Sequence, residues 1–227
     1  LGYSPETRFM TGLTFISTVQ VSPDVRPGNA RLEFDITQNK QMIFDAEYEG
    51  FTRGERMWVR GFATWRYFPE SYWGIGNRTP ATAQEQYSNR RVEAEGIVLW
   101  QAVPKWKLFI GPRFFLQSLW RMEPLPGGML AADTLLGSSG GTSSSLGFQA
   151  ALDHRDHSLN PQRGWWFQCG SQQYTKLTGS DFTFGSYFLD FRRYFTVAKG
   201  PRHVLAFQVR GLFHTGNPPF RLMALMG

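Results

Sequence analysis

What this sequence lacks narrows it first. Nowhere do its 227 residues contain the roughly 18–20 uninterrupted apolar residues that a membrane-crossing helix requires. It has a single cysteine, Cys169, so no internal disulfide framework can hold it together. The opening Leu1-Gly2-Tyr3 lacks the charged start and apolar core of a secretion leader. If the protein is exported, its leader is expected upstream or already removed. No domain linker, heptad or repeat longer than a hairpin is visible, and the Gly/Ser run 137–145 is loop composition. Residues 1–227 therefore read as one β domain. The net charge of +6 is spread among acids, without a stripe or a basic tail, which argues against nucleic acid as a partner.

Aromatics are abundant: 20 Phe, 8 Tyr and 8 Trp, a composition that favours strands. Mean hydropathy is −0.34, which by itself would suggest a soluble chain. A membrane barrel dilutes its apolar residues with a polar lumen face, so that average does not separate the two.

Period-two alternation is the main signal. In 30–37, Ala30, Leu32, Phe34 and Ile36 fall on one face and Arg31, Glu33, Asp35 and Thr37 on the other. Phe44, Ala46 and Tyr48 likewise oppose Asp45, Glu47 and Glu49. Val59, Ala63, Trp65 and Tyr67 oppose Arg60, Thr64 and Arg66. Val92, Ala94, Val98 and Trp100 oppose Glu93 and Glu95. The same holds for Leu108, Ile110, Phe114 and Leu116 against Arg113 and Gln117. It recurs in 146–153 and in 203–213, where Arg210 is on the polar face. Segments 7–20, 164–175 and 182–195 alternate less cleanly; Asp190 and Arg192 are assigned to the polar face of the last. About ten strands result, most near the 9–11 residues that cross a bilayer obliquely. Short connectors near 52–55, 103–105 and 198–201 are set against long ones at roughly 69–87 and 119–142, the asymmetry of outer-membrane barrels.

Alternation alone also fits a soluble β-sandwich. Three features favour the membrane. The polar face carries both signs at high density, as a wet lumen with cross-strand pairs would. The apolar face is nearly charge-free in mid-strand, where a lipid-facing Arg or Lys would cost about 2–4 kcal/mol. Rings gather near segment ends: Trp65, Tyr67, Trp100, Trp106, Trp165 and Trp166 are assigned to a membrane-interface belt.

Four segments carry a family resemblance. Asp153-His154-Arg155-Asp156 with Pro161 and Gly164 resembles the D-x-R-D…P-x-x-G hairpin of the BamA/TamA superfamily, the bacterial surface antigen family. Residues 2–7, the loop motif with Pro69, Gly74, Gly76 and Asn77, and the segment 218–222 look similar to that family too. The loop motif resembles Bacteroidetes-type members in particular. The resemblance implies an all-β, antiparallel transmembrane barrel in a Gram-negative outer membrane, with this chain as strands two to eleven of sixteen. Such a sheet would be an incomplete barrel with two open edges. The first strand, the last five and the Arg-Gly-Tyr loop motif are expected to lie elsewhere.

Sites of chemistry are sparse. His154 and Asp156 share one strand face while Asp153 and Arg155 share the other, so these residues suit a turn better than a metal site. Neither a Ser-His-Asp arrangement nor G-x-S-x-G occurs, and Asp45, Glu47 and Glu49 suit a lumen wall better than paired acid–base work. The expected protein is not an enzyme and needs no cofactor. The resemblance implies assistance in inserting or translocating proteins at the outer membrane. Its expected partners are outer-membrane lipid, client outer-membrane proteins and periplasmic or lipoprotein partners. A passive pore or surface antigen, and a membrane anchor for a fused patatin-like hydrolase, stay open as alternatives.

Overall fold

In the computed structural model the described residues are 2–4, 8–76, 78–124, 126–132, 135–157, 160–197 and 203–223. They form eleven antiparallel strands in one open sheet, each paired with its neighbours in chain order. The strands are β1 (Gly2–Ser4), β2 (Arg8–Val19), β3 (Gly28–Thr37), β4 (Met42–Phe51), β5 (Met57–Tyr72) and β6 (Glu85–Val103). They continue as β7 (Leu108–Pro124), β8 (Gly141–Asp153), β9 (Gly164–Tyr174), β10 (Phe184–Thr196) and β11 (Val204–Gly216). No helix among the described residues is long and apolar enough to cross a membrane, which leaves crossing by strands untouched.

All ten alternating segments are strands. The three-residue β1 is additional; it pairs Gly2 with Met10 and has too few residues to show a period. Two long connectors are shorter than the sequence suggests. β5 and β6 remain paired as far as Tyr72 and Glu85, and β7 reaches Pro124, so the loops are 73–84 and 125–140. Pro69 is therefore a strand residue, opposite Ser88, rather than a loop residue. Gly74 and Gly76 are in the loop, and Asn77 lies outside the described residues. The physical reason is local: in these outer rows no apolar face has to be kept apart from a charged one, so the ladder continues without alternation.

Register assigns the faces, because directly paired residues project to the same side. Arg31 pairs with Glu47 and Glu33 with Asp45. Glu49 pairs with Arg60, and Thr64 with Glu93. The chain of pairings runs through Glu95–Phe115, Phe115–Ser145, Ser145–Tyr174, Tyr174–Phe184 and Asp190–Arg210. This is the inner face. The outer face carries Leu32, Phe34, Tyr48, Trp100, Ile110, Phe148 and Phe207, all among the exposed large hydrophobics. Gln149, Ser145, Gln117, Asn89 and Asp190 on the inner face are buried. A soluble sheet would be built the other way round.

Candidate inner-face site

The inner face has three levels: an apolar floor at the short-connector end, a charged wall, and a cap at the long-loop end. The floor comes from strand-end residues on the polar side. Phe51, Trp58, Ile97, Leu99, Phe109 and Ala151 are buried together, with Trp166 packed on them. Trp58 stacks on Phe51 at 5.7 Å between ring centres and meets Trp166 edge-on at 5.5 Å. Trp166 pairs with Asp153, so it faces inward. That corrects its assignment to an interface belt: two adjacent tryptophans on a strand must point to opposite faces, and only Trp165 is on the outer one.

The turn between β2 and β3 folds over this floor. Val25 is buried in it, and Arg26 sits 4.3 Å over the Phe51 ring. The Arg26 guanidinium donates to Glu55 at 3.1 Å and to Asp153 at 2.8 Å. Asp153 also accepts from Arg155 at 2.9 Å, and Arg155 lies 4.1 Å over the Trp166 ring. The sequence hairpin is therefore one half of a tertiary clamp.

The rest of the hairpin is local. Asp156 Oδ1 accepts three backbone N–H groups, from His157, Gln162 and Arg163, at 3.0–3.1 Å. Those donors, Arg163 N–H foremost, hold its carboxyl below the ordinary carboxylate range. Pro161 lies in the connector. Gly164 begins β9 at φ +101°, and a Cβ there would sit 2.1 Å from the His154 carbonyl oxygen. His154 stacks on Trp165 at 4.6 Å. With Asp156 occupied by backbone donors, the two do not converge on a metal position. Among the described residues no three His, Cys, Asp or Glu side chains are grouped to hold one.

Register brings together on the wall every charged residue assigned to it from the sequence: Arg31, Glu33, Asp35, Asp45, Glu47, Glu49, Arg60, Arg66, Glu93, Glu95, Arg113, Asp190, Arg192 and Arg210. Most are paired across or along strands. Arg31 reaches Glu47 at 2.7 Å, Arg66 reaches Asp45 at 2.8 Å, and Arg192 reaches Asp190 at 2.6 Å. Arg113 pairs with Glu95, and Gln117 donates to Glu93 at 3.0 Å. The more exposed of these, such as Arg31–Glu47, contribute up to about 1 kcal/mol each. Their larger effect is to keep both signs in place on a wet surface. A cavity of about 510 Å³ opens along this wall between Thr18, Asn29, Arg31, Glu49, Arg60 and Glu95.

Segment 218–222 stands out in the sequence by its resemblance alone; its place as a cap on the inner face was not legible there. Segment 217–223 crosses onto the inner face, with Phe220 buried against Tyr72, Tyr87 and Leu130. Arg221 pairs with Glu70, which also pairs with Arg91 and accepts from Tyr87 at 2.9 Å and Asn89 at 3.1 Å. Glu85 accepts the backbone N–H groups of Met129 and Leu130, which ties the 125–140 loop to the same place. A Glu, a Tyr and an Asn two residues apart on paired strands are the only local signal; their partner Arg221 is 151 positions from Glu70.

On the outer face, Trp65, Tyr67, Trp100 and Trp165 project outward, and Trp106 is exposed in the β6–β7 connector. Among described strand residues whose face the register fixes, the charged residues on this side are Arg90, Glu123 and Arg193, all near strand ends. Arg90 lies 5.0 Å over the Tyr67 ring. From Arg90 to Trp100 on β6 is ten residues, which at a strand tilt near 45° spans about 23 Å, close to the apolar band of a membrane barrel.

A family model described as the Omp85 superfamily domain matches residues 82–220. No curated protein matches the chain.

Proposed function

We propose, because this chain belongs to the Omp85 superfamily, that it forms the wall of a BamA/TamA-type outer-membrane barrel and assists insertion or translocation of other proteins there. The observation that carries this reading is the inverted burial. The face that would be a core is bare and apolar, while the face that would meet water is sheltered and charged. Outward-facing rings Trp65, Tyr67, Trp100 and Trp165, with Trp106, fit an interface belt above and below a charge-free band.

The family's way of working needs no cofactor: an open sheet edge offers main-chain hydrogen bonds to an incoming strand. The resemblance puts the family's first strand and last five outside these residues, so the seam that would receive a client strand belongs to the whole barrel, of which this sheet is the wall. The apolar floor and the clamped β2–β3 turn argue against a freely conducting pore on this side of the lumen.

Reconstituted full-length protein is expected to speed the folding of a test outer-membrane barrel into vesicles, and its depletion to lower barrel proteins in the outer membrane. Unchanged folding rates together with unchanged membrane composition would sink the reading.

A further inference from the structure

The membrane reading leaves one outer-face feature unexplained. Arg193 is an outward residue of β10, close to the end at which the β8–β9 hairpin lies. A guanidinium facing hydrocarbon is costly unless it reaches a partner at the interface. Arg193 has aromatic neighbours. Its guanidinium lies 5.0 Å over the Phe195 ring. Its register partners on the two flanking strands are Trp165 and Phe207. Trp165 is itself held by the stack on His154.

Among the described residues no carboxylate is paired with it. The described outer faces of β8 to β11 carry no Asp or Glu. Asp190 and Asp153 are on the inner face and paired there. Asp156, in the neighbouring connector, has one oxygen taken by three backbone donors. Arg163 does not share this surface: it reaches Thr196 Oγ1 at 3.5 Å, and Thr196 is on the inner row of β10. A guanidinium, an indole and a phenyl ring at the edge of an apolar band form a surface complementary to an anion that carries acyl chains.

We propose that Arg193, with Trp165 and Phe195 as its apolar floor, binds the headgroup phosphate of a glycerophospholipid in the leaflet at the short-connector end. The inference rests on the membrane reading above. The guanidinium donates to phosphate oxygens at the interface, and the rings lie along the upper acyl chains. The site fixes the depth at which β9 and β10 ride in the bilayer.

The test uses full-length protein folded from phosphatidylglycerol-containing vesicles and recovered in mild detergent. It is offered phosphatidylglycerol and a diacylglycerol with the same chains but no phosphate, and retained lipid is read by native mass spectrometry. Wild-type protein is expected to favour phosphatidylglycerol. Arg193→Gln is expected to lower that preference about fivefold, and Arg193→Lys, which keeps the charge, to lower it less. Arg78→Gln, which removes a cation at the other mouth, should leave it unchanged. Inorganic phosphate in millimolar excess should not displace the lipid. An unchanged preference in Arg193→Gln overturns the proposal, as does equal retention of the two lipids by wild type. Displacement by inorganic phosphate alone would make this a free-anion site and overturns the lipid assignment. If no heat-resistant folded form is recovered from vesicles, the membrane reading itself falls and the site with it; a folded protein without lipid preference removes only the site.

Discussion

Arg26 and Asp153 meet at 2.8 Å although 127 positions separate them, joining the β2–β3 turn to the end of β8. The contact lies above buried aromatics, with Asp153 side chain 6% exposed and Arg26 22%. It makes the family hairpin a fixed point for a distant turn. Replacing Asp153 by Ala leaves Arg155 without its carboxylate partner and Arg26 with Glu55 alone. Loss of about 3 kcal/mol is expected, near the lower bound for breaking a buried pair because Arg26 is partly wet. Arg26→Ala should cost less, since Arg155 still neutralises Asp153. Urea-unfolding midpoints of the two variants in lipid measure this order; equal midpoints contradict the clamp.

Gly164→Ala tests the hairpin backbone. The residue sits at φ +101°, and its Cβ would sit 2.1 Å from a backbone oxygen that cannot swing aside. A cost above about 2 kcal/mol is expected, beyond the ordinary left-handed penalty. The folded fraction on a cold gel should fall sharply, whereas Gly76→Ala, where no atom lies within 4 Å, should fall less.

Phe148→Arg separates membrane from water. Phe148 is 68% exposed on the outer face, so a soluble sheet would accept arginine there with little change. In a bilayer the same change should cost about 2–4 kcal/mol. Comparison of folding yields in vesicles gives the answer, and wild-type yield from Phe148→Arg would count against lipid exposure.

Acid should loosen the β8–β9 hairpin through Asp156. Its folded carboxyl is held below the ordinary range by backbone donors, so its stabilising effect is complete above the unfolded value, near 3.9. The effect is lost as pH falls from there through the lowered folded value. Hydrogen exchange at the Gln162 and Arg163 amides should accelerate across that acid window in wild type. In Asp156→Ala those amides should already exchange fast at neutral pH.

Glu70→Gln tests the cap. The change leaves Arg91 and Arg221 close together without their shared carboxylate. Segment 217–223 should leave the inner face, seen as faster labelling of a cysteine placed at Phe220. Arg221→Ala should have the same effect, and labelling at the wild-type rate in both would remove the cap from the mechanism.

The strand plan was legible because period two is enforced by two different media. In 30–37 and 42–50 one face carries the charged residues and the other meets apolar surroundings, so the pattern is written nearly residue by residue. Where only one constraint acts, it fades. Pro69, Glu70 and Tyr72 continue β5 beyond the apolar band, and nothing there forces alternation. Trp165-Trp166 shows the other limit: the ring type was right for both, but an indole suits a lipid interface and an apolar floor equally.

The sequence by itself determined ten of the eleven strands, the two faces of the alternating rows and the family resemblance, since each is encoded within a few neighbouring residues. The tertiary structure alone decided which inner residues meet: Arg26 with Asp153, Arg221 with Glu70, and Trp58 with Trp166. Those contacts depend on how an eleven-stranded sheet brings distant strand ends together, and local alternation holds no record of that distance. The inverted burial belongs to both. Alternation separated the faces, and only the folded sheet showed that the apolar one is left bare.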